Sequence, residues 1–405
     1  MSSFRVILKP RRALPFFSRH PWVFAGAVAS VEADGSSVDQ QSVEPGATVA
    51  VHSSGGEFIA WGLYNSQSNL RVRLYSWQES NCIDAELIAS RIDAAITLRR
   101  RLFSFDAHTG CRLIFSEADG LSGLTVDRYG EWLLVQFTGR GLYRFSESII
   151  ATLSDRLTPA GIRLRTERGI GEAEGLDLSD QLLAGSDPPR PLFIRENGVQ
   201  FGVDVVEGQK TGFFLDQRDN RAIVANLCRD RRVLDAFCYS GAFGITALVN
   251  GHAGSVIGVD SSESALRLAR ANAELNGVAD RCRFEQSSVA DALDRLRSAR
   301  EMFGVVVLDP PKMARSRRGV ERALKGYFKL NRRAVDLLEP GGILATFSCS
   351  GHVAEDDFLG MLLSVAKDSG RNIRILRRPG LPPDHPVSIH CPENDYLCGA
   401  VCHVE

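Results

Sequence analysis

The strongest constraint on the fold lies in the second half of the chain. There, short apolar runs without polar alternation are separated by helix-length segments: Val233-Leu234, Val256 to Val259, Val305 to Leu308 and Ile343 to Phe347. A strand with one face in water alternates apolar and polar side chains, whereas a strand apolar throughout is covered on both sides. Such strands alternating with helices predict a parallel sheet sandwiched between helices. In an open sheet of that kind, ligands bind beyond the carboxyl ends of the strands. The residues at those ends therefore decide what the chain does.

The first run opens into Asp235-Ala236-Phe237-Cys238-Tyr239-Ser240-Gly241, a turn of mostly small residues leading into a helix, and the second ends on Asp260. An acidic residue roughly 20 positions beyond such a turn can accept hydrogen bonds from both hydroxyls of a ribose, which predicts a nucleoside-type cofactor. The dinucleotide fingerprint is absent, because Phe237 and Tyr239 stand where a pyrophosphate would need glycine. NAD and FAD are disfavoured. The third run exits through Asp309-Pro310-Pro311-Lys312, whose prolines stiffen the exit and remove two backbone donors. Carbonyls and the Asp309 carboxylate are left to face the crevice, a set that suits a base amino group or a ring N–H. The fourth run leads to Ser348-Cys349-Ser350-Gly351 and so puts Cys349 at the edge that carries the three aspartates. Free cysteines are more often inert small hydrophobes. A nucleophilic one needs a depressed pKa or a nearby base, since a thiol near 8.5 is only about a few per cent thiolate at neutral pH.

A chain of 405 residues suggests two to three domains. Residues 4 to 75 read as short strands with turns (Phe4 to Leu8, Ser42 to Val51 around a Pro45-Gly46 turn, Phe58 to Tyr64, Leu70 to Tyr75), a small all-β unit. Leu87, Ile88, Ile92, Ile96 and Leu98 recur at helical spacing between Asp84 and Phe103, and strands and a further helix follow up to Thr166. The proline-rich stretch Ala184 to Pro191 reads as a linker. The expected domains are 1–75, 76–185 and 186–405.

With 48 Lys and Arg against 49 Asp and Glu, no global field draws the chain to nucleic acid or membrane, so RNA contact has to come from local patches. The first cluster is Arg5, Lys9, Arg11, Arg12, Arg19 and His20, and the second Arg99-Arg100-Arg101. No run reaches the roughly 20 apolar residues of a membrane span. Nine cysteines without a CxxC pair suit a reducing cytoplasm and argue against structural zinc, and no metal is expected.

At these residues the chain resembles the class I S-adenosylmethionine-dependent methyltransferases that make 5-methylcytidine in large-subunit (23S) ribosomal RNA. The likeness rests on Arg19-His20-Pro21-Trp22-Val23-Phe24, on Glu207 through Arg218, and on Asp309-Pro310-Pro311-Lys312 paired with Phe347-Ser348-Cys349-Ser350. The resemblance implies a multidomain chain: an N-terminal β-barrel-like PUA domain that binds RNA, a small α+β middle domain, and a C-terminal α/β Rossmann-like methyltransferase. It implies S-adenosylmethionine as cofactor, held by Lys210, Thr211, Phe213, Asp216, Arg218, Asp235, Phe237, Tyr239, Ser240, Gly241, Asp260 and Ser288. Cys349 and Asp309 are the expected catalytic pair, and Pro310, Pro311, Lys312, Arg11, Arg12 and Arg19 the expected RNA-binding groups.

Two departures from the wider superfamily stand out. The Asp235 turn keeps only the last of three usual glycines, and Ser287-Ser288 occupy a place where an acid often binds adenine. Cys391, Cys398 and Cys402 are thiols without an assigned role. Two rivals remain: a transferase of the same fold acting on a guanine or adenine nitrogen, and an RNA-binding protein whose transferase domain is inactive. The sequence is silent on the target cytidine and on oligomeric state, a homodimer being one option.

Overall fold

The computed structural model describes residues 4–405 apart from 168, 209, 210 and 315. The chain divides into two compact units: 1–192 with 204–213 and 383–394, and 193–203 with 214–382 and 395–405. The first unit holds a seven-stranded sheet ordered Trp22–Phe24, Leu70–Ser76, Phe58–Tyr64, Thr48–His52, Phe4–Leu8, Val28–Ala33, Ser36–Val38. Of the Ser42 to Val51 stretch, the part beyond the Pro45-Gly46 turn forms the strand Thr48–His52, and Gly46 sits in that turn at φ 96°. A five-stranded sheet follows, from Gln181–Gly185 at one edge to Gly110–Phe115 at the other.

The helix Ala85–Leu102 starts at Asp84, whose carboxylate accepts from the Leu87 amide at 2.8 Å, and buries Ile88, Ile92, Ala95, Ile96 and Arg99. Leu98, expected in that stripe, is 38% exposed, and Arg99 takes the inward position. Its guanidinium is fully buried on the Asp119 carboxylate and also donates to the Asp384 carbonyl at 2.9 Å. Arg99 is thus a packing residue, and of the second basic cluster Arg100 and Arg101 face solvent.

Residues 204–213 and 383–394 cluster with the first unit, although the sequence reading set them within 186–405. Thr211 donates to Asp127 Oδ2 at 2.5 Å, Arg165 to the Val205 carbonyl at 2.7 Å, and the Arg112 amide to Asp384 Oδ2 at 2.9 Å. These are charge-assisted bonds, the first two buried and the third partly so, between residues far apart in sequence, so no local pattern announces them.

In the second unit, a seven-stranded sheet runs Cys282–Gln286, Ser255–Asp260, Arg232–Ala236, Phe303–Leu308, Leu338–Ser348, Cys398–Val404, Ile373–Arg377. The first five strands are parallel, and Phe303–Leu308 is buried at every residue, as a strand covered on both faces should be. The last two pair antiparallel and close that edge. This gives Cys402 a role as a fully buried core side chain and places Cys398 in register opposite Ser348. Burial pushes both thiols up to about 12, far from reactivity. None of the helices among the described residues is long and apolar enough to cross a membrane.

Candidate active site at the carboxyl edge of the parallel sheet

Ala236, Val259, Leu308 and Thr346 form one row across the sheet, because Ala236 pairs with Val259 and with Leu308, and Leu308 with Thr346. Asp260 and Asp309 are the residues after that row and Cys349 is the third, so the strand ends named from sequence share one edge. Successive strands run outward in opposite directions from the gap between Arg232–Ala236 and Phe303–Leu308, the switch point where such sheets bind ligands.

The turn after Ala236 is bent by three left-handed residues, Phe237 (φ 64°), Tyr239 (φ 48°) and Gly241 (φ 78°). The backbone that glycines usually supply is present, but two of its positions carry aromatic side chains, at a strain of about 1–2 kcal/mol each. Phe214 meets Tyr239 edge to face at 5.3 Å. Asp260 takes the Tyr239 amide on Oδ2 and the Ser262 amide on Oδ1, each at 2.9 Å. A carboxylate offers about four acceptor sites. Both oxygens therefore keep capacity for a pair of hydroxyls. Asp235 is buried and accepts from the Gly244 amide at 2.9 Å, while its Oδ1 and the buried Ser240 Oγ meet no described hydrogen-bonding group. Burial lifts the Asp235 carboxyl to about 7; the Gly244 amide opposes the shift, and the Asp309 and Asp260 charges add to it.

Asp309 Oδ1 accepts from Gln217 Nε2 at 2.9 Å, and Gln217 Oε1 accepts from Asn220 at 2.6 Å, which fixes the orientation of the amide. The Cys349 thiol points at the Pro310 carbonyl, 3.7 Å away, and so faces the exit that begins at Asp309. Both loops are held by one hydroxyl. Ser350 Oγ accepts from the Met313 and Ala314 amides at 3.0 and 3.1 Å and lies 3.1 Å from the buried Tyr327 hydroxyl. With two amides on its lone pairs, Ser350 gives its own proton to Tyr327, which also accepts from Ser348 Oγ at 2.9 Å. Removing that phenol in Tyr327→Phe loosens Cys349 and the Pro310-Pro311 exit together. It is expected to lower kcat by about tenfold or more with KM for S-adenosylmethionine unchanged, read by steady-state methyl transfer. Sequence reasoning gives no role to Gln217 and Ser350, which it meets only inside the resembling segments, and misses Asn220 and Tyr327 altogether.

The other expected site residues fall as follows. Asp216 is buried and takes the Tyr396 hydroxyl at 2.7 Å, and Arg218 is buried nearby in sequence. Ser288 caps the helix Val289–Ser298, accepting from the Asp291 amide and donating to its carboxylate at 2.6 Å, so its hydroxyl is engaged. Pro311 and Lys312 are exposed and Pro310 is buried. Thr211 and Phe213 are buried in the first unit, with Thr211 bonded to Asp127 and 3.2 Å from the Tyr129 hydroxyl. Arg11, Arg12 and Arg19 also belong to the first unit and are exposed. Lys210 lies outside the described residues.

Among the described residues, one group has metal-ligand geometry: His20, Cys391 and Glu393, in the first unit. The Trp22 amide donates to His20 Nδ1 at 3.3 Å, which leaves the ring proton on Nε2 facing the Glu393 carboxylate at 3.3 Å. A ring so protonated is a hydrogen-bond donor rather than a ligand.

The family model described as S-adenosylmethionine-dependent methyltransferase matches residues 177–389, and that of a PUA-like domain matches residues 6–77. The ribosomal RNA large subunit methyltransferase I of Pseudoalteromonas atlantica is 39% identical over all of both chains, and that of Erwinia tasmaniensis 37% identical over 99% of each. Among solved structures, a methyltransferase complexed with SAH superimposes over all of both chains with TM-score 0.84 and 20% identity. A SAM-dependent methyltransferase from Streptococcus mutans covers 98% of this chain with TM-score 0.83 and 19% identity, a likeness of fold. With relatives of that identity along its whole length and the sheet-edge geometry above, the chain belongs to the ribosomal RNA large subunit methyltransferase I family, S-adenosylmethionine-dependent enzymes with an N-terminal PUA-like domain.

Proposed function

We propose that the chain methylates C5 of a cytidine in large-subunit ribosomal RNA, with Cys349 as covalent nucleophile and Asp309 as the group that holds the base. The observation that carries this reading is the Cys349 thiol directed at Pro310, one residue from Asp309. The edge residues fit S-adenosylmethionine: Asp260 keeps acceptor capacity for the ribose hydroxyls, and the buried Asp235 Oδ1 and Ser240 Oγ await partners beside the strained turn. Bound there, the cofactor supplies an electrophilic methyl group on a sulfonium.

The chain's own groups must make C5 nucleophilic. Cys349, as thiolate, forms a bond to C6, and the C5–C6 electron pair becomes available at C5. Asp309 acts in its protonated form: Oδ1, which accepts from Gln217, can also accept from the 4-amino group, while the proton on Oδ2 is donated to N3 and neutralises the negative charge that thiolate addition moves onto the ring. After C5 has been alkylated, loss of its proton to a base re-forms the double bond and releases the thiolate. The target base must leave its stack, at about a few kcal/mol, which favours RNA not yet buried in a finished particle. Such a substrate puts the enzyme in the cytoplasm, and the named groups all lie on one chain, so the chemistry requires no second copy.

The test is transfer of labelled methyl to deproteinised large-subunit rRNA lacking its own modification, followed by digestion to nucleosides. Label in 5-methylcytidine is expected. Label in a methylated guanosine or adenosine would keep the fold and sink the thiolate mechanism.

A further inference from the structure

Lys312 through Arg322 carry five basic residues, Lys312, Arg315, Arg317, Arg318 and Arg322, against the single acid Glu321, in a chain whose net charge is −1. Lys312, Arg317, Arg318 and Arg322 are exposed, and none forms an ion pair with a described residue. Glu321 is engaged by Lys325 at 2.7 Å. Elsewhere in the same unit several surface arginines find acids, Arg232 on Glu301, Arg270 on Glu263, Arg333 on Asp294, Arg374 on Glu405 and Arg378 on Glu355, while others without an acid among the described residues, such as Arg229, Arg267 and Arg300, stand singly rather than in a run.

The arrangement works against stability. Arg317 and Arg318 occupy the turn just ahead of the helix Val320–Asp336, where the aligned peptide dipoles already place positive charge and acids are favoured. The segment is held in place nonetheless. Ala314 is fully buried, and the Ser350 hydroxyl pins the Met313 and Ala314 amides next to Cys349. Asp235, Asp260 and Asp309 make the adjoining sheet edge acidic, and a polyanion could not approach it without opposite charge nearby.

Resting on the reading of the site as an RNA methyltransferase, we propose that Lys312, Arg317, Arg318 and Arg322 form the surface that grips the phosphates flanking the flipped cytidine. These cations lie on the chain that continues from the Asp309-Pro310-Pro311 exit, so they hold the backbone of the strand from which the base has been turned out. Phosphate contacts set register without reading sequence.

The test compares wild type with Arg317→Ala/Arg318→Ala and with Arg322→Ala. The control is Arg374→Ala/Arg378→Ala, which removes two arginines already paired with acids. The probe is a fluorescein-labelled fragment of deproteinised large-subunit rRNA, titrated by anisotropy over a range of salt. The Arg317/Arg318 double variant should weaken binding on the order of tenfold and flatten the slope of log affinity against log salt by roughly 1.5, with S-adenosylmethionine affinity unchanged. Arg317→Lys/Arg318→Lys should recover most of the slope. Unchanged affinity and slope, or an equal loss in the control, would overturn the assignment. A wild type that binds RNA through this surface yet yields no 5-methylcytidine would leave the surface standing and remove the reading of the chemistry.

Discussion

Cys349→Ala is expected to lower formation of 5-methylcytidine by about 10³-fold or more while S-adenosylmethionine binds as before, because without the thiolate nothing makes C5 of cytosine nucleophilic. Single-turnover transfer to rRNA reads the first quantity and calorimetric titration of the cofactor the second. The same substitution should abolish any covalent complex trapped with RNA carrying 5-fluorocytidine, which has no C5 proton to lose. Transfer surviving at more than a tenth of the wild-type rate would exclude Cys349 as nucleophile.

Cys238 is the competing thiol, since it also follows a strand end. It is 5% exposed, and burial, with the Asp235 and Asp260 charges, pushes its thiol well above the ordinary range. Its sulfur belongs to the turn after Ala236, 4.0 Å from the Tyr239 carbonyl. Cys238→Ala removes a small packing group and should change transfer by no more than a few-fold. The contrast between the two alanine variants separates a reacting sulfur from a packed one.

The strand ends could be read from sequence because the evidence for them is local: a buried parallel strand is an uninterrupted apolar run, and whatever follows it stands at the sheet edge. The partners that hold those groups could not. Gln217 meets Asp309 across 92 positions, Tyr396 meets Asp216 across 180, and Tyr327 reaches Ser350 from the middle of a helix whose inward face looks like any other. The antiparallel edge is hidden because Cys398 and Cys402 read as thiols, whereas Cys402 is fully buried and Cys398 half-buried against the same core, both packing as small apolar residues. At the turn after Ala236 the missing glycines speak to the ligand and not to the backbone. Phe237 and Tyr239 hold the left-handed conformations that glycine would make cheap, so their residue types rule out close approach by a pyrophosphate without ruling out the turn itself.

Asp235→Asn is expected to make the protein more stable at neutral pH and above, by an amount that is already appreciable at pH 5, grows up to about pH 7 and vanishes only below about pH 4. The folded carboxyl is lifted to about 7 by its burial, against about 3.9 in an unfolded chain. Between those values the folded state holds a proton that the unfolded state has released. Stability from this group is therefore fully present below about pH 4, falls as pH rises, and is lost above about pH 7, a total on the order of 4 kcal/mol. Asparagine keeps an acceptor for the Gly244 amide and carries no charge, so it matches the protonated acid and lacks the ionised one. Denaturant midpoints of both proteins at pH 5, 6, 7 and 8 give the difference directly. Glu117 contributes in the opposite sense: burial pulls its carboxyl up, but Arg73, Ser122 and Trp22 hold it below the usual range, and its stabilisation is lost as pH falls. That term is common to both proteins and cancels. A variant that tracks the wild type in parallel from pH 5 to pH 8 would show that Asp235 is already ionised in the folded protein. Its Oδ1, which meets no hydrogen-bonding group among the described residues, would then need a cation or donor from outside them.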